Sequence, residues 1–149
     1  KHYGEIIAIG REIKWALNDS EYSVHPTDPR LSGIYGTIVY EELAPEADGH
    51  KRQRNATIFA DGEVDRSPCG SGTCARLATL IEKKQLTIGE VLKHDSIVGS
   101  QFLGVAKSQV TSDGYDAILP QVTGMAYKTG ESVFTVDPRD PLTPGFVLR

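Results

Sequence analysis

The residues with the clearest chemical potential lie in one run, Pro68-Cys69-Gly70-Ser71-Gly72-Thr73. A loop of small residues opening a helix lets backbone N–H groups converge with no side chain in the way, and the helix N-terminus adds partial positive charge. Both favour an anion. Cys69 stands at the mouth of the loop, where the same donors stabilise a thiolate. A carboxylate seated on those amides, with its α-carbon beside the thiolate, is set up for removal of the α-proton, and the charge that develops meets preorganised donors. A tight turn before a helix is the plainer reading of the same residues.

Other chemistries fit less well. The Lys-Ser/Thr pair that follows the glycines of nucleotide-binding loops is missing. Four residues separate Cys69 from Cys74, and His2, His25, His50 and His94 supply no second pair at zinc-finger spacing, so no metal is expected. A disulfide between the two cysteines would have to close across a helix start. A cysteine hydrolase needs a histidine within reach of Cys69, and His94 is the one nearby in sequence. Cys74 reads as a small core hydrophobe, Asp65 and Arg66 as a surface pair or a cap, and the histidines as solvated loop residues.

The elements that position this loop follow from periodicity. Ile6, Ile9, Ile13, Ala16 and Leu17 recur at helical spacing until Asn18-Asp19-Ser20, which predicts a helix over residues 1–19. The prolines of His25-Pro26-Thr27-Asp28-Pro29 make that stretch a loop. Ile34–Glu41 and Asn55–Ala60 read as strands, the polar stretch Glu42–Arg54 as their hairpin connection, and Asp61-Gly62 as a turn. Cys74, Leu77, Ala78 and Ile81 form the stripe of a second helix, with Lys83 and Lys84 near its C-terminal end. Thr87-Ile88-Gly89-Glu90 reads as a capping box opening a short third helix. Beyond it Ile97–Val110, Tyr115–Val122, Met125–Lys128 and Ser132–Val136 are strand-like, and Asp137–Arg149 is irregular. The class is α+β, a mainly antiparallel sheet on few helices.

The 149 residues suffice for one domain with a core. A net charge of −4 gives no reason to expect nucleic acid or an anionic membrane as partner. No apolar run is long enough for a membrane span. Lys1–Glu5 leads into an amphipathic segment, so no secretory leader is expected, and two free thiols fit a reducing, cytoplasmic setting.

Asp65-Arg66-Ser67-Pro68-Cys69-Gly70-Ser71-Gly72-Thr73 closely resembles the second active-site motif of the proline racemase family, which includes proline racemase, 4-hydroxyproline 2-epimerase and trans-3-hydroxy-L-proline dehydratase. Phe59-Ala60-Asp61 stands at the family's spacing before it. The Gly99-Ser100-Gln101-Phe102 turn and the ending from Asp137-Pro138 to Gly145-Phe146-Val147-Leu148-Arg149 extend the likeness over the whole chain. The resemblance implies a two-lobe fold similar to diaminopimelate epimerase, each lobe a sheet wrapped round a central helix, with the site between lobes. The family's first cysteine belongs to a Cys-Gly-His motif that does not occur here. The chain is then expected to be a C-terminal lobe whose partner is the missing N-terminal lobe, with a homodimer as a further arrangement, residues 1–19 as the inter-lobe helix, and the isolated fragment inactive.

By motif position, Cys69 would be the second acid/base of a two-base, cofactor-independent racemisation or epimerisation at Cα. Asp65 would hold the substrate's ring nitrogen, Gly70 and Ser71 its carboxylate, and Phe59 would wall the pocket. Position 71 is commonly Thr in the family, so Ser71 would loosen that contact. The family's dehydratases generally carry Thr where Cys69 stands, so the thiol favours racemisation or epimerisation of proline or 4-hydroxyproline. A non-catalytic small-anion-binding module is the reading from another class, and a plain anion site needs neither Asp65 nor Cys69.

Overall fold

The computed structural model describes residues 2–145. Helix α1 spans Tyr3–Asn18. Its C-terminal residue ties it to the approach to the first strand: the Asn18 amide donates to the Lys14 and Ile34 carbonyls, each at 2.9 Å, and accepts from Ile34 N–H at 2.8 Å. The chain then enters β1 (Gly36–Leu43), turns back as β2 (Lys51–Phe59), adds the short β3 (Glu63–Val64) and passes into α2 (Gly70–Glu82). Strands β4 (Val91–Asp95), β5 (Gln101–Ser112) and β6 (Tyr115–Thr123) complete it.

Among the described residues the strands form one six-stranded sheet in the order β1-β2-β4-β5-β6, with β3 on β2. Every pairing is antiparallel except β2 with β4, which runs parallel in the register Gln53 to His94. The sheet is therefore mixed, as a strand–helix–strand crossover through α2 requires. The helices lie on opposite faces. On β1, the Thr37 hydroxyl donates to the Gly10 carbonyl of α1 at 3.0 Å, while Ile38 on the other face reaches Gly72 of α2. The α2 side holds the core, in which Leu77, Leu80, Leu86 and Leu92 are buried together.

Several expectations change here. The face of α1 that meets the sheet carries Gly10 and the buried Lys14, whose ammonium donates to the Ala60 carbonyl, whereas Ile9, Ile13 and Leu17 remain open to solvent. Gly10 permits the approach: a Cβ there would lie 2.8 Å from Ile58 Cβ. On α2 the buried stripe is Thr73, Leu77 and Leu80, rotated from the expected one, so Cys74 is half-buried rather than core. Much of Glu42–Arg54 is strand, because its polar side chains pair across the sheet, as Gln53 does with Glu42 at 2.6 Å.

The third helix is absent. Thr87 N–H does bond the Glu90 carboxylate at 2.6 Å, but Gly89 adopts φ +87° and the chain turns directly into β4. That strand lacks an apolar signature because its outer face is charged: Lys93 pairs with Glu46 and Asp48 at 2.5 Å, and Asp95 with Arg52 at 2.7 Å. Ser96–Ser100 is a turn, so β5 begins later than expected. Met125–Lys128 and Ser132–Val136 have strand-type composition but join no ladder among the described residues, and Phe134 is exposed. The expected signature at Phe146-Val147-Leu148-Arg149 lies outside the described residues.

Candidate active site

The run singled out in the sequence sits where a strand, a turn and a helix meet. Asp65 N–H bonds the Thr57 carbonyl of β2 at 2.9 Å, and the Asp65 carboxylate accepts from Ser67 N–H at 2.8 Å. This Asx turn aims the chain at α2. Cys69 N–H then donates to Ser67 Oγ at 3.0 Å. Cys69 is the residue that caps α2, at φ +64° and ψ +116°. A side chain held at such a φ is strained, a conformation that persists where its surroundings enforce it. The consequence is geometric: Sγ folds back over the first turn and accepts from Gly72 N–H at 3.3 Å, with Ser71 Oγ at 3.6 Å.

Sγ faces a cleft of about 480 Å³ walled by Tyr35, Ile38, Thr57 and Phe59 and floored by Asp65, Ser71 and Gly72. That volume suits a small molecule. Phe59, the last residue of β2, packs its ring 5.9 Å from that of Tyr35. Cys69, Asp65, Ser71 and Phe59 are thus brought to one cleft. Gly70 lies beside it, exposed, and is absent from its lining. As first-turn donors, the Gly70 and Ser71 amides have no intrahelical partner. Gly72 leaves room for the sulfur, since a Cβ there would stand 2.1 Å from Ile38 Cδ1 and 3.1 Å from Cys69 Sγ. A hollow of similar size on the α1 side, about 490 Å³ and lined by Tyr3, Ile6 and Val39 among others, carries no thiol. Among the described residues no cluster of His, Cys, Asp and Glu could hold a metal, and no helix is long and apolar enough to cross a membrane.

Beneath the loop lie polar residues that carry no local sequence signal. His94 is not a solvated loop histidine: it is fully buried on β4, with Asn55 Nδ2 2.8 Å from Nε2 and Thr73 Oγ1 2.9 Å from Nδ1. It points at the carbonyl side of the loop, with Thr73 and Asn55 between it and the thiol's backbone. It is therefore no partner for a hydrolase nucleophile. Burial, with the nearby Arg76 guanidinium, lowers its pKa to about 4 against the opposing pull of Asp95, so the ring is neutral near pH 7. Thr73 and Asn55 reveal their role only once β2 and β4 are placed side by side.

A thiol capping a helix, beside a carboxylate and an aromatic wall in one cleft, is a candidate small-molecule site of the acid/base or nucleophile type. The chain belongs to the proline racemase family: the family model described as "Proline racemase" matches residues 1–147. A trans-3-hydroxy-L-proline dehydratase of Bacillus thuringiensis subsp. konkukian is 47% identical over 139 residues, which is 93% of this chain and 41% of that protein. A 3-hydroxyproline 2-epimerase of Burkholderia multivorans is 43% identical over 97% of this chain and 42% of its own length. Among solved structures, a probable proline racemase from Agrobacterium radiobacter with bound carbonate superposes with a TM-score of 0.78 at 35% identity, over 97% of this chain and 41% of that one. A hydroxyproline epimerase from Agrobacterium vitis with bound trans-4-hydroxy-L-proline gives 0.77 at 34% identity, over 97% and 40%. The fold is accordingly one lobe of the diaminopimelate epimerase-like architecture, and the chain spans about two-fifths of the length of the relatives it matches.

Proposed function

We propose that this chain supplies one acid/base, Cys69, to a cofactor-independent epimerisation at Cα of a proline derivative, with a hydroxyproline as the substrate class. The observation that carries it is the capping thiol, 3.3 Å from Gly72 N–H and open to the cleft that holds Asp65 and Phe59. The Gly72 amide and the helix terminus face the sulfur that would take the α-proton. A substrate carboxylate on the Gly70 and Ser71 amides would place its α-hydrogen toward Sγ. The enolate-like charge would then build against N–H donors. Asp65 would accept from the ring ammonium. Phe59 and Tyr35 would cover the ring and exclude water.

Inversion needs a second base on the opposite face of the substrate. The relatives are more than twice as long, so that base would come from a partner lobe that packs over the cleft. The exposed Ile9, Ile13 and Leu17 of α1, on the other face of the sheet from the cleft, are apolar surface that a second copy of the chain would cover. The full-length protein should interconvert the Cα epimers of a hydroxyproline, at about 1 per second or faster. The 149-residue chain alone should not.

A dehydratase is the second reading, favoured by the name of the relative at 47% identity. Dehydration requires one base and a departing 3-hydroxyl; epimerisation requires two bases and releases no water. Incubating the full-length protein with trans-3- and trans-4-hydroxy-L-proline and with L-proline in D2O, followed by proton NMR and polarimetry, separates them. Epimer formation with deuterium at Cα supports the proposal. Loss of water without epimer supports dehydration. No exchange with any of the three refutes both.

A further inference from the structure

The Cys69 thiol is held in a strained backbone conformation by something, and the buried polar chain behind it is the candidate. Thr73 Oγ1 lies 2.7 Å from the Cys69 carbonyl and 3.3 Å from the Pro68 carbonyl. Asn55 Nδ2 lies 2.9 Å from the Pro68 carbonyl. Between these two side chains stands the His94 ring. We propose that His94 is a positioning residue: as the neutral Nδ1–H tautomer it orients Thr73 and Asn55, which together clamp the carbonyls on both sides of the Pro68–Cys69 bond and so aim Sγ.

The direction of every bond follows from counting hydrogens. Carbonyls only accept, so Thr73 spends its one hydroxyl hydrogen on the Cys69 carbonyl. Its oxygen must then accept from His94 Nδ1, which therefore carries the proton. Asn55 gives one amide hydrogen to the Pro68 carbonyl, and its Oδ1 is 3.4 Å from the Thr57 hydroxyl that donates to it. Its other hydrogen points at His94 Nε2, which must be bare. A proton on Nε2 would set donor against donor inside a closed site. Two charged groups bear on the ring. Arg76 on α2 donates to Gln53 at 2.8 Å and opposes a charged imidazole; Asp95, next along β4, is turned to the outer face and held by Arg52. With all its hydrogen bonds made, the chain is rigid. Without the Thr73 hydroxyl the Cys69 carbonyl keeps its helical bond from Thr73 N–H at 2.9 Å but loses the side-chain donor that links it to His94, φ can relax to negative values, and Sγ leaves the Gly72 amide.

The acid/base role of the thiol rests on the function proposed above, but the positioning is read without substrate. In full-length wild type near neutral pH, long-range proton–nitrogen NMR should show His94 neutral with the proton on Nδ1. The Nε2–H tautomer, or an imidazolium, overturns the proposal. Thr73→Val should abolish the positive φ of Cys69, read by the one-bond Cα–Hα coupling of that residue together with the Gly72 amide proton shift. Thr73→Ser should restore it. A folded Thr73→Val protein in which Cys69 keeps its positive φ also overturns the proposal, and if that variant does not fold the tautomer measurement decides. Correct tautomer and loss of the positive φ in Thr73→Val, without turnover of any proline derivative, would sink the enzymatic reading and leave the clamp standing.

Discussion

Acidification should weaken the fold through His94 in a window of its own. In the unfolded chain this histidine titrates near its ordinary 6.5; in the fold, burial and Arg76 push it down to about 4. Between those values the unfolded chain binds more protons, so stability rises with pH. It is complete above about pH 6.5 and falls by about 1.4 kcal/mol per pH unit below that, to a loss of at most about 3 kcal/mol at pH 4. The carboxylates held low by arginine or lysine partners, Asp28, Asp48 and Asp137, act with the same sign in a lower window: their contribution is present above pH 3.8 and disappears only at more acid pH. Urea denaturation of the full-length protein at several pH values between 7 and 4.5, for wild type and the non-titrating His94→Asn, isolates the effect. Wild type should lose about 2–3 kcal/mol more than the variant across that range. Equal pH slopes would refute the reasoning, as would an NMR titration midpoint for His94 near 6.5.

Three substitutions probe the remaining links. Cys69→Ser in the full-length protein should abolish epimer interconversion while leaving Cα–deuterium exchange from one epimer, measured by polarimetry and NMR; interconversion near the wild-type rate would exclude the thiol as a base. Gly72→Ala places a methyl 2.1 Å from Ile38 Cδ1, which can rotate away, and 3.1 Å from Cys69 Sγ, which must shift. The expected outcome is a kcat about a hundredfold lower with the melting temperature little changed. Gly10→Ala forces α1 off Ile58, where the new Cβ would stand 2.8 Å from Cβ, and should cost about 1–3 kcal/mol by chemical denaturation while leaving the positive φ of Cys69 untouched, read by NMR.

What could be read from the chain was local. The loop from Pro68 to Thr73 announces itself because a cysteine, two glycines and a helix start act on one another within a single turn. Asp65 and Phe59 joined it through the family motif, and the structure brings both to the same cleft. His94 and Asn55 carry no such signal. Their partners lie far away in sequence, 39 residues apart from one another, and only the β2–β4 pairing makes them neighbours. Strand β4 resembles a polar connection because Lys93 and Asp95 alternate with buried Leu92 and His94, and charges that find partners across the sheet cannot be told from charges in water by composition. The α1 stripe shows the converse: Ile9 and Ile13 have the right spacing for a core face, yet the close approach is made through Gly10, and the isoleucines look outward. Met125–Lys128 and Ser132–Val136 likewise have strand chemistry without a ladder, since propensity describes a residue's fit to a sheet and not the presence of one.

The single parallel pairing of the sheet, β2 with β4, carries a consequence for how the protein matures. Asn55 and His94 meet because Gln53 aligns with His94 in that register. A slip of one residue would turn His94 to the face where Arg52 and Glu46 lie and send Lys93 inward. Parallel pairing through a helical crossover is a distant closure, slower to form than a hairpin such as β1–β2. On the proposed clamp, the thiol would acquire its aim only after the whole β2–α2–β4 unit has docked in register, and a nascent or misregistered chain would carry an unaimed cysteine. The orientation of Cys69 would in this sense be a certificate of completed folding, issued by residues that never touch the sulfur.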